Sequence, residues 1–131
     1  MVCQLHSSWA FEQRNEERQM KAGFREYLET QRQRAMRTLL EKAYVANRLA
    51  KLSRGEQRSR LYELKCQHIS QAIVLSVADI ICDSVLGSSS RIIGISSRQG
   101  YRFHVPLERL SPAAREHFHN SLEAISIGAA A

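Results

Sequence analysis

No apolar run in this chain is long enough to cross a bilayer, and no cysteines stand in a paired motif. The longest apolar stretch, residues 72–82, falls short of the roughly 20 residues a spanning helix needs and contains Asp79. No membrane partner is expected. Cys3, Cys66 and Cys82 are an odd set without CxxC spacing. On a helix over 66–82, Cys66 and Cys82 stand roughly 24 Å apart, beyond the reach of a disulfide. That usage fits a reducing, cytoplasmic compartment. The first ten residues lack the basic start and long apolar core of a signal peptide, and Glu12, Glu16 and Glu17 argue against a transit peptide.

Signatures of chemistry are also missing. On a helix His117 and His119 point about 160° apart, as do Cys66 and His68, while Cys3 and His6 lack a second pair of ligands. Cys66 and Cys82 lie in or beside an apolar segment, where thiols pack inertly. Asp79 and Asp83 share one side of a helix with no basic or histidine partner nearby. Gly94 and Gly100 have no Lys-Ser/Thr sequel, so they do not form a phosphate loop. The reading is of a protein that is not an enzyme, with no catalytic residues, no metal and no cofactor. Aromatics make up only 7% of the chain, which implies an aliphatic core, and the sequence lacks the interleaved aromatics of a single-strand platform, which favours a protein partner.

What is present fits one folded body. The chain's 131 residues, 44% hydrophobic and 24% charged, match a single domain that needs no staple. Residues 1–19 read as a polar arm or the frayed start of a helix, because positions 12–19 hold no apolar side chain. Residues 20–126 read as one globular helical domain, and residues 127–131 as a disordered tail.

Met20, Phe24, Leu28, Ala35, Leu39, Ala43, Ala46, Leu49 and Ala50 fall within about 140° of arc at helical pitch. Gln31 interrupts the row, so a long coiled coil is not expected. Ser53 and Glu56 have capping-box spacing, which starts a second helix. That helix is expected to run to Leu86, to bury Ile80 and Ile81 as the central element, and to stop at Gly87; a buried strand at 73–77 is the rival reading. Residues 87–90 form a short flexible joint.

Residues 91–105 then predict a β-hairpin. A loop of Arg98, Gln99 and Gly100, with Gly100 at positive φ, pairs Ser97 with Tyr101, Ile95 with Phe103 and Ile93 with Val105. Ile93, Ile95, Tyr101, Phe103 and Val105 share one face; Ile92, Gly94, Ser96, Arg102 and His104 share the other. Ser111 and Pro112 open a C-terminal helix with an Ala114, Phe118, Leu122, Ile125 stripe. The fold class is mainly α (α+β): a long helical hairpin with a buried central helix, one β-hairpin and a C-terminal helix.

The charge is one-sided. Residues 1–65 hold 14 Lys and Arg against 8 acids, and the rest holds 5 of each. Between residues 30 and 60, nine cations face only Glu41 and Glu56. Arg34, Arg37, Arg48 and Lys51 fall within about 100° of arc on the side away from the apolar stripe, and Arg54 and Arg58 follow at the turn. Arg32 and Lys42 project toward the apolar side, so they must snorkel or the helix is irregular there. A solvated face usually mixes charge signs, so a shortage of acids points to an anionic partner. Trp9 and Phe11, ahead of the polar run, are candidate anchors in a partner's pocket.

These features predict a non-catalytic protein-interaction module, adaptor or inhibitor in type, that binds an acidic partner surface. The alternative is a sequence-independent nucleic-acid binder using the same cations on phosphates. A reader that inserts the helix before the hairpin into the major groove is disfavoured, since residues 72–86 hold no Lys or Arg.

Overall fold

A computed structural model describes the backbone over residues 2–84 and 91–117, and side chains over 9–83 and 91–117. The elements are α1 (Val2–Leu52), α2 (Gly55–Leu75), β1 (Ile80–Ser84), β2 (Ile92–Ser97), β3 (Arg102–Pro106), a 3-10 turn (Leu107–Arg109) and α3 (Pro112–His117). The chain is mainly α with an antiparallel three-stranded sheet ordered β1-β2-β3. The joint at residues 87–90, the stop at Gly87, the stripe beyond Ala114 and the tail at 127–131 lie outside the described residues.

Two compact units divide at Gln33 and Arg34. In the first, Trp9, Phe11, Met20, Phe24, Tyr27 and Leu28 are all exposed. Arg32 forms an ion pair with Glu29.

The second unit holds the core. Met36, Leu40 and Ala43 of α1 meet Cys66, Ile69, Ala72 and Ile73 of α2 and the inner face of the sheet, which carries Ile80, Cys82, Ile93, Ile95, Phe103 and Val105. The buried stripe of α1 keeps Ala43, Ala46 and Ala50 of the expected row, with Leu39 half-buried against the core, and departs from it elsewhere. Met36 and Leu40 are fully buried, whereas Met20, Phe24, Leu28, Ala35 and Leu49 are exposed. The expected direction was weighted by residues 20–28, which contribute nothing to this core.

The hairpin has the expected register, with Ile93 opposite Val105 and Ile95 opposite Phe103. Ser97 N–H donates to the Tyr101 carbonyl at 2.9 Å, and Gly100 has φ +91°.

The end of α2 corrects the sequence reading. The helix stops at Leu75, where the Ser76 amide and hydroxyl both donate to the Ile73 carbonyl at 3.0 and 2.9 Å. A bend over residues 77–79 follows, and residues 80–84 form a strand paired with β2. Ile80 and Cys82 therefore point inward and Ile81 and Asp83 outward, so Ile80 is 6% exposed and Ile81 68%. Neither a helix to Leu86 nor a strand at 73–77 forms. Asp79 and Asp83 do not share a helix side: the Asp79 carboxylate accepts from Val77 N–H, and Asp83 reaches over Gly94. The 24 Å separation inferred for Cys66 and Cys82 loses its premise, although both remain free, buried thiols in one cluster.

The capping box at the α1–α2 turn is not formed either. Ser53 Oγ donates back to the Leu49 carbonyl at 2.8 Å, Glu56 accepts from Arg60, and Arg54 occupies the cap position. At α3 the cap does form: Ser111 Oγ accepts from Ala114 N–H at 3.2 Å, and Ser111 N–H donates to the buried Ser70 hydroxyl of α2 at 3.0 Å.

Two substitutions test this architecture by chemical denaturation. Ile80→Ala is expected to lower stability by about 2–4 kcal/mol and Ile81→Ala by no more than about 0.5 kcal/mol; equal losses contradict the strand. Gly100→Val, where no neighbour obstructs a side chain, is expected to lose roughly 1–2 kcal/mol through positive φ alone.

Candidate anion-binding face

Arg34, Arg37, Arg48 and Lys51 are exposed on α1, and Arg54 and Arg58 are exposed at and after the turn. Lys42 is also exposed, beside the apolar side chains of Val45 and Leu49. Arg34 and Lys51 lie about 25 Å apart along the helix, so the four cations of α1 form a stripe and not a cluster. Arg48 is held along that stripe: its guanidinium donates to the Tyr44 hydroxyl at 3.1 Å and lies 5.8 Å from the ring centroid. Tyr44 in turn meets Tyr101, which stacks parallel to Phe103 at 6.3 Å. An aromatic ladder thus joins α1 to β3. Trp9 and Phe11 belong to the other unit.

At the far end of this ladder the fold brings together residues that the sequence reading did not single out. A cavity of about 580 Å3 is lined by Asn47, Lys51, Lys65, Arg102, Phe103 and His104. Of the expected site residues, only Lys51 lines it. Lys65 is 5% exposed, donates to the His104 carbonyl at 3.2 Å and lies 4.9 Å from the Tyr62 ring centroid. The sheet explains that bond. Tyr101, Phe103 and Val105 turn their backbone groups toward β2, so Arg102 and His104 turn theirs toward the free edge of β3. Burial pushes the Lys65 amine below its ordinary value; neighbouring Cys66 opposes the shift and Lys51 adds to it.

Ser76 Oγ lies 3.3 Å from His117 Nε2 and donates to the Ile73 carbonyl at 2.9 Å, which ties it to the end of α2. Among the described residues, no group of three His, Cys, Asp or Glu side chains could hold a metal, and no helix is long and apolar enough to cross a membrane.

No protein-family model, curated protein or solved structure matches the chain.

The thiols give a direct check on the packing beneath the face. Burial raises Cys66, and burial with the Asp83 charge pushes Cys82 up to about 11. Two units above the ordinary thiol value leave about a hundredfold less thiolate near neutral pH. In native protein Cys82 should therefore alkylate at least that much more slowly than in denatured protein, read by mass-resolved labelling. Equal rates would contradict its burial.

Proposed function

We propose that the chain is a non-catalytic interaction module that docks onto an acidic protein surface in a cytoplasmic compartment. Its contact face comprises Arg34, Arg37, Arg48, Lys51, Arg54 and Arg58, with Trp9 and Phe11 as separate anchors. The observation that carries the reading is the mixture of exposed cations with exposed apolar side chains on the helical hairpin. Val45, Leu49, Leu61 and Leu64, with Glu41 and Lys42 beside them, line an open groove of about 420 Å3. Leu52, beside Lys51, is 83% exposed. Exposed apolar side chains on the same hairpin as exposed cations suit a protein partner, in which desolvated contacts supply affinity and charges supply rate and register. A phosphate backbone needs the cations alone.

The acid-poor run from Arg34 to Arg60 favours nucleic acid as the second reading, and salt separates the two. Four phosphate contacts on duplex DNA give a log–log slope of about −3.6, whereas a protein held by packed anchors gives a shallower slope with salt acting mainly on association. Reversing Arg34, Arg37, Arg48 and Lys51 together to Glu should leave the denaturation midpoint nearly unchanged, since all four are exposed. Partner binding should fall by about a hundredfold. If the quadruple variant binds as tightly as the native chain, the basic face is solvent-facing decoration and the reading fails. If the native chain binds duplex DNA with the steep slope, the assignment passes to nucleic acid.

A further inference from the structure

We propose that the cavity at the free edge of β3 is a binding site for a phosphomonoester group, the dianion carried by a phosphorylated side chain or a small phosphorylated ligand. The proposal does not depend on which macromolecule meets the outer face of α1. Asn47, Lys51, Lys65, Arg102, Phe103 and His104 line the cavity, and none of them is acidic. Lys65 is the decisive group. A nearly buried ammonium normally sits in an ion pair, because desolvating an uncompensated charge is expensive. Here its contacts are the His104 carbonyl and the Tyr62 ring, and among the described residues it forms no ion pair. Capping one edge carbonyl does not require a charge; a neutral donor does it as well. Lys51 approaches closely enough to disfavour the Lys65 proton, and Arg102 adds a third cation to the lining. An anion entering the cavity relieves all of this at once.

The chemistry of the lining selects the anion. Three cations in one lining exceed what one carboxylate neutralises, whereas a phosphomonoester carries about −1.5 to −2 charges near neutral pH. Arg102 offers a planar fork suited to two phosphoryl oxygens, and Lys51 and Lys65 supply point charges. The N–H groups of Arg102 and His104 face the same free edge and add oriented backbone donors. The cavity exceeds a phosphoryl group in size, which leaves room for the carbon group that bears it.

Titrating the isotope-labelled full chain with inorganic phosphate and with phosphoserine, at ionic strength held constant with chloride, tests the assignment. Both probes should give saturable shifts centred on the Arg102 and His104 amides and should raise the thermal midpoint. Phosphoserine binding at least as tightly as inorganic phosphate marks a site open to a monoester, and inorganic phosphate alone marks a closed site and overturns the monoester reading. Lys65→Met and, as an exposed change that spares the core, Arg102→Gln should each weaken both probes by about tenfold or more, while Arg115→Gln on α3 should leave them unchanged. Acetate, or a dimethyl phosphate diester, saturating the same amides as tightly would overturn the recognition of a dianion. So would binding unaffected by both site variants, or shifts that stay linear and spread over the whole basic surface.

Discussion

A three-stranded sheet with one apolar face needs a cover, and that requirement organises residues 34–117. Ile80, Cys82, Ile93, Ile95, Phe103 and Val105 supply the face, and Met36 and Leu40 of α1 with Ile69 and Ile73 of α2 supply the cover. Burial at roughly 25 cal/mol per Å2 makes this contact the dominant favourable term for the unit. The remaining features follow from it. Because the sheet closes over the helices, α2 has to end at Leu75 to let β1 begin. Because β3 is an edge, its outward carbonyls need a partner, and Lys65 reaches one of them from α2. Pro106 ends the strand with no N–H to offer, a common way to blunt an exposed edge. The buried cation is therefore a consequence of topology, and the acid-free cavity around it is what turns it into a candidate site.

The hairpin was legible in the sequence because two independent signals agreed: the Gly100 turn and the alternation from Ile93 to Val105. β1 was hidden for a physical reason. Its inward residues Ile80 and Cys82 are separated by an outward Ile81, so apolar side chains fall on both faces and the period of two disappears into the run over 72–82. The stop at Ser76 uses a serine bonding back to Ile73, which has no glycine or proline to announce it. In α1 the apolar pattern of Met20, Phe24 and Leu28 obscured the different face that Met36 and Leu40 bury.

The exposed cations of α1 followed directly from helical periodicity. The cavity could not, since it joins Lys65 to a carbonyl 39 residues away. The register did place Arg102 and His104 together on the sheet's outer face, but nothing local linked that face to Lys65. A lysine embedded between tyrosine and cysteine in Tyr62, Lys65 and Cys66 carries no distinctive signal of burial until the third strand is in place.

The acid-poor stripe of cations, the apolar side chains left in water and the cavity lined with cations are the observations on which the proposal of an interaction module rests. The measurement that tests this most directly is affinity capture from a lysate of the source cell, carried out in parallel with and without exhaustive nuclease treatment. The account predicts that one protein is recovered in equal yield in both arms and is displaced by an acidic protein competitor. Recovery that vanishes with nuclease would contradict it, and would assign the basic face to nucleic acid.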